Sequence, residues 1–147
     1  MLQKNKKQYQ LRINTTDSIC NSNELPNRRM SQIMEILSEA SIDNLHSFLD
    51  IGMGQGQILK WLASKGKSCT GIGLEIDSYG KEIRQFQKEF GIKAIEGNAE
   101  HLSFADKSFG GVIMSHVLEH CMNTGAVLKE ARRVLSDNGW LFVFVPP

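Results

Sequence analysis

The stretch Phe48-Leu-Asp-Ile-Gly-Met-Gly-Gln-Gly56 constrains this chain more than any other. A short apolar run ends in Asp50, glycines follow at 52, 54 and 56, and an amphipathic segment begins at Gln57. Without a Cβ, glycines spaced this way let the main chain turn sharply and come close to a bulky ligand. They sit where a strand hands over to a helix N-terminus, the binding crevice of an open α/β sheet. The pattern predicts a nucleotide-like ligand, with a ligand-free glycine turn as the plain alternative. It is not the dinucleotide fingerprint Gly-x-Gly-x-x-Gly, because Gln57 stands three residues after Gly54. That speaks against a nicotinamide dehydrogenase.

The flanking sequence supplies the sheet such a loop needs. Pro26 suits the first turn of a helix, and Met30, Ile33, Met34 and Leu37 form a narrow stripe for docking on a core. Residues 45–50 read as a first strand and 57–65 as a crossover helix closed by Gly66. A second strand spans roughly 68–76. Asp77 or Ser78 then caps a helix that buries Ile83, Phe86 and Phe90 and stops at Gly91. A third strand covers 93–96 and a fourth 111–115, its start loosened by the pair Gly110-Gly111. A helix over 124–135 turns Val127, Ala131 and Val134 inward, and the turn 137–139 opens a fifth strand, 140–145. Strands alternating with helices of this length predict right-handed βαβ units and an open, mostly parallel sheet.

Composition narrows the class. At 147 residues the chain can bury the core of one domain, and 41% apolar with 22% charged residues is ordinary for a globular protein. A net charge of +1 gives no bulk electrostatic case for nucleic acid or an acidic membrane. The balance is uneven: residues 1–29 carry six Lys/Arg against Asp17 and Glu24. With no apolar period there, residues 1–26 are expected to be a basic, flexible segment and 27–147 the folded domain. Cys20, Cys69 and Cys121 are odd in number and lack Cys-x-x-Cys spacing, which argues against a disulfide framework or a zinc cluster. No signal-like or membrane-length apolar run is present, so the cytoplasm is the expected compartment.

Asp50-x-Gly52-x-Gly54-x-Gly56 resembles the first motif of class I S-adenosylmethionine-dependent methyltransferases. The resemblance runs from about Phe48 to Val145 and takes in Gly97-Asn-Ala-Glu100, Val117-Leu-Glu-His120 and Arg133-Val-Leu-Ser-Asp-Asn-Gly-Trp140. It is nearest to the small-molecule methyltransferases of ubiquinone and menaquinone biosynthesis. What it implies is a Rossmann-like α/β sheet with helices on both faces, S-adenosylmethionine as cofactor and a small-molecule or lipid-like acceptor. It also implies contacts residue by residue. Asp50 would face the methionine ammonium. Gly52, Met53, Gly54 and Gly56 would cup the cofactor. Glu75, where the family usually has Asp, would accept from the ribose diol, and Ile76 would lie under the adenine. Asp77 is the rival for the ribose, already employed as a helix cap. Asn98 and Ala99 would meet the adenine edge, Asn98 replacing the family's Asp with a neutral acceptor. Ser115 closes the set at the end of the fourth strand. The family's carboxylate after Phe109 is Gly110 here.

His116-Val-Leu-Glu119-His120 also matches the His-x-x-Glu-His signature of a zinc peptidase. His116 directly follows a strand, however, and zinc needs both histidines on one helical face with a further ligand. No metal is expected; the three residues are expected to rim the site, with catalytic residues left open. The family continues past the fifth strand into a helix and two more strands, whereas this chain stops at Pro147. Trp140–Val145 is apolar on both faces, the pattern of an interior strand, and as an edge it would leave backbone groups unpaired. A fold truncated after strand five is expected, as a shortened product, a self-associating domain or one half of a complex. A cofactor-binding module without independent activity is the alternative to an enzyme.

Overall fold

The structure, a computed structural model, describes residues 25–74 and 80–146. The basic segment up to residue 24 and the positions Glu75, Ile76, Asp77 and Ser78 therefore lie outside the described residues, as do the side chains of Ile83 and Phe86.

β1 (Ser47–Ile51) is the axis of the molecule. Phe48, Leu49 and Ile51 are fully buried, as expected of a central strand covered on both faces. Alternation along it sends Phe48 into one core and Leu49 and Ile51 into the other. β2 (Ser68–Gly73) and β4 (Phe109–Ser115) pair with β1 in parallel on either side. β3 (Lys93–Glu96) adds to β2 and β5 (Leu135–Phe144) to β4, giving the order β3-β2-β1-β4-β5 with every pairing parallel.

Helices cover both faces. α1 (Leu25–Glu39) and α2 (Gln57–Ser64) bring Ile33, Leu37, Ile58, Leu59 and Leu62 onto Phe48, Cys69, Ile113 and Phe142. α3 (Gly80–Phe90) adds Phe90 to that side. On the opposite face α4 (Thr124–Val134) buries Val127, Ala131 and Val134 against Leu49, Ile51, Val112 and Met114. Asn123 caps α4, its side chain accepting from the amide of Ala126 at 3.0 Å.

Three sequence expectations change. β2 ends at Gly73, short of the expected 76. β4 begins earlier, at Phe109, and its pairing with β5 is irregular between Phe109 and Gly111. The face of Gly111 is filled by the Phe48 ring on the adjacent strand, where a Cβ would overlap ring carbons. β5 likewise starts at Leu135, directly after α4, rather than at Trp140. Leu135 pairs with Phe109 and Trp140 with Gly111, so β5 carries an irregularity here. Gly139 allows it, since its missing Cβ would press on Leu135 and on the Gly110 carbonyl oxygen, 2.8 Å away. Within the described sheet β5 is an edge strand. Its alternation is split between the faces, Phe142 in one core and Leu141 and Val143 against the other.

Candidate functional site

The carboxyl ends of β1, β2 and β4 open onto two adjoining cavities of about 450 and 650 Å³ that share Gly52, Met53 and His116. The loop between β1 and α2 is pinned from below, because the amides of Gly52 and Met53 both donate to the Ile72 carbonyl at 2.8 and 3.1 Å. Gly52, Gly54 and Gly56 all have positive φ, at 75°, 50° and 74°. Their neighbours differ. A Cβ on Gly52 would collide with Val117, whereas one on Gly54 would meet nothing within 4 Å. Gly54 thus presents bare main chain to the larger cavity. Gly56 lines neither cavity; it is the N-cap of α2, its amide bonded to the Met53 carbonyl at 2.8 Å.

Asp50 is 2% exposed, and its Oδ1 has no hydrogen-bond partner among the described residues. It lines the smaller cavity with Met30, Ile33, Met53 and Ile58, a largely apolar surround. Burial pushes its carboxyl up to about 8, because an ion there forgoes water without gaining a partner. Nearby Cys69 is pushed up to about 12, first by burial and then by the Asp50 charge. Ser115 lines the same cavity.

The larger cavity collects Gly97, Asn98 and Ala99 opposite Ile72, Gly73 and Leu74. Asn98 Oδ1 accepts from the Glu100 amide at 2.9 Å, which leaves its NH₂ group and one oxygen lone pair for a ligand. Glu100 in turn accepts from the Asn123 amide at 3.0 Å, tying this loop to the start of α4. The segment 102–106 is held from α4 as well. Glu130 accepts from the Leu102 amide at 2.8 Å, and Arg133 donates to the Leu102 and Phe104 carbonyls at 2.8 and 2.7 Å. Its hydrogen bond with Arg133 is the main cause that lowers the Glu130 carboxyl to about 2.

Between the cavities stands His116, with φ of 55°. Its amide donates to the Phe144 carbonyl at 2.9 Å, and a short 3₁₀ turn (Leu118–His120) follows. The turn places Glu119 Oε1 3.1 Å from His116 Nδ1. In the neutral ring, Nδ1–H donating to Glu119 leaves Nε2 as an acceptor. A left-handed histidine beside a cavity is the kind of strain that collects at functional sites. Among the described residues no group of three or more His, Cys, Asp or Glu could hold a metal ion.

Of the sequence-predicted residues, the structure thus gathers Asp50, Gly52, Met53, Gly54, Asn98, Ala99 and Ser115 around the paired cavities. Glu75 and Ile76 lie outside the described residues. Sequence reasoning missed Arg29, Met30 and Ile33 as cavity wall, and Val117 as the neighbour that requires Gly52.

Comparison with known proteins agrees with this fold. The family described as "Methyltransferase domain" matches residues 49–143. Demethylmenaquinone methyltransferase of Thermotoga maritima is 28% identical over 142 residues, covering 89% of this chain and 60% of that protein. The PH0226 protein of Pyrococcus horikoshii superposes with a TM-score of 0.71 at 29% identity, over 84% of this chain and 59% of that one. A structure titled as a SAM-dependent methyltransferase from Methanosarcina mazei gives 0.58 at 30% identity, over 66% and 50%. The chain therefore spans only about half to three-fifths of these proteins.

Proposed function

This chain belongs to the methyltransferase domain family, and on that premise we propose that it binds S-adenosylmethionine and methylates a small-molecule or lipid-like acceptor. The observation that carries the reading is the orphaned, buried carboxyl of Asp50 beneath a glycine loop whose open side faces a cavity. A cationic ammonium answers that carboxyl, and bare main chain at Gly54 admits the bulk beside it. The residues present fit the cofactor.

When bound, S-adenosylmethionine supplies a sulfonium methyl group for in-line displacement. The chain's own residues bind, orient and exclude water. Asp50 holds the amino group of the methionine portion and the loop 52–54 abuts the adenosyl portion. Asn98 meets the adenine edge through its free NH₂ or remaining lone pair. Glu75 takes the ribose diol. His116 Nε2, with Nδ1 on Glu119, is the acceptor for a proton that a hydroxyl or acidic carbon must lose as it is methylated. The folded unit is taken from Leu25, the start of α1, rather than from the expected 27, and its compartment as the cytoplasm, in keeping with free cysteines at 69 and 121. Among the described residues no helix is long and apolar enough to cross a membrane.

A second reading, a cofactor-binding module without independent activity, draws on Asn98, whose side-chain oxygen is already engaged by Glu100. The experiment is calorimetry with S-adenosylmethionine and S-adenosylhomocysteine, followed by transfer of labelled methyl to phenolic, enolic and amine acceptors. Binding with transfer supports the enzyme, binding alone the module, and absence of binding refutes both.

A further inference from the structure

Resting on that reading of the site, we propose that Glu100 is a positioning residue that straps one wall of the larger cavity to another. Residues 97–100 make the wall that carries Asn98, and His116, Val117 and Cys121 belong to the second. The two walls differ in what holds them. β3, which leads into the first, is a four-residue edge strand with no buried residue. The second runs directly into α4, whose Val127, Ala131 and Val134 are fully buried against the sheet. The first wall has little packing of its own, and α4 is the firm body beside it. Glu130 of α4 already holds the Leu102 amide further along, so Glu100 is the link nearest Asn98.

The start of α4 shows what the Glu100 carboxylate does. In a capping box the N-cap side chain accepts from the third helical amide, and a Glu at that third position returns a bond to the N-cap amide. Asn123 makes the first bond, accepting from the Ala126 amide at 3.0 Å. Ala126 has no side chain to return the second. Glu100 supplies it from 23 positions upstream, accepting from the Asn123 amide at 3.0 Å. Its charge also suits the positive end of the α4 dipole. Ala126→Glu would cap the helix equally well and leave the two walls unlinked. On the other side of the link, the Glu100 amide donates to Asn98 Oδ1 at 2.9 Å. The residue that is strapped therefore sets the Asn98 side chain, and displacing it displaces the groups that Asn98 offers the ligand. After burial, the charges of Glu100 and Glu119 push the Cys121 thiol up, in keeping with a Glu100 carboxylate that lies against the second wall.

The test uses the full chain, with calorimetry of S-adenosylhomocysteine, urea unfolding and hydrogen exchange on Glu100→Ala, Glu100→Gln and Glu100→Ala/Ala126→Glu. Glu100→Ala should weaken the ligand roughly 3- to 10-fold, the loss of one hydrogen bond. Glu100→Gln should recover most of that, because its carbonyl still accepts from Asn123. Ala126→Glu should restore the unfolding midpoint of Glu100→Ala without restoring affinity. In an Asn98→Ala background, Glu100→Ala should cost less than about two-fold. Affinity that returns together with stability makes Glu100 a helix cap only and overturns the proposal. So does a Glu100→Ala protein that binds like the wild type, or a full additive loss on top of Asn98→Ala. Should Ala126→Glu fail to restore stability, the Asn98 comparison decides alone. The strap is also read without ligand: Glu100→Ala should speed amide exchange at 98–101, and unchanged exchange there overturns it. A wild type that does not bind S-adenosylhomocysteine defeats the cofactor reading instead.

Discussion

Replacing Asp50 with Asn should make the ligand-free protein more stable in alkaline buffer while destroying its affinity for S-adenosylhomocysteine. The carboxyl that titrates at 3.8 in an ordinary setting is pushed up to about 8 here by burial. Between those values the folded protein keeps a proton that the unfolded chain has lost. Stability therefore falls as pH rises through that window, by about 1.36 kcal/mol for each pH unit. Across the window from 3.8 to about 8, the ceiling is about 6 kcal/mol. Relaxation and water entry around a buried ion reduce this, yet leave several kcal/mol. Total stabilities are only about 5–15 kcal/mol, so the effect is large. Asn carries no charge at any pH and fills the same space. The two proteins should differ little near pH 4 and diverge steadily up to pH 8. Urea unfolding followed by circular dichroism at four pH values measures this. Parallel stability–pH curves for wild type and Asp50→Asn refute the reasoning. Binding should show the converse linkage. A cation stabilises the ionised carboxyl, so S-adenosylhomocysteine should release a proton below pH 8, detected by calorimetry in buffers of different ionisation enthalpy.

Other perturbations separate ligand contact from packing. Gly54→Val should abolish S-adenosylhomocysteine binding, because the new side chain enters the open cavity, and cost roughly 1–2 kcal/mol for a left-handed branched residue; unaltered affinity by calorimetry places the ligand elsewhere. Gly111→Ala should do the reverse, losing roughly 1–3 kcal/mol in thermal or urea unfolding as the Phe48 ring is displaced, with ligand affinity kept per folded molecule. A fully stable Gly111→Ala protein would show that the ring and strand yield freely. Glu75→Ala should weaken S-adenosylhomocysteine by roughly 1–3 kcal/mol through stranded ribose hydroxyls, and no change would point to Asp77. The free edge of β5 should drive self-association detectable by light scattering, and a monomer at high protein concentration argues against it.

The parts of this architecture that a reader of the sequence could reach are those dictated locally. A glycine at positive φ is demanded by the loop itself, and the buried strand before it must be apolar, so the 48–56 segment announced its own geometry. The three inward residues of α4 were legible for the same reason, as a helical period facing a sheet. Features set by what arrives from elsewhere were hidden. The stripe Met30, Ile33, Met34, Leu37 has one pattern whether it packs on a strand or walls a cavity, and only tertiary placement brings Arg29, Met30 and Ile33 to Asp50. The need for glycine at 111 was hidden because the Phe48 ring that fills its face lies 63 positions earlier and on another strand. The solitude of the Asp50 carboxyl is likewise a property of the surround, invisible in any local window. That surround ties stability to function. An unpaired acid in a buried strand costs stability, so on the reading proposed above Asp50 is where a bound cation would offset that cost.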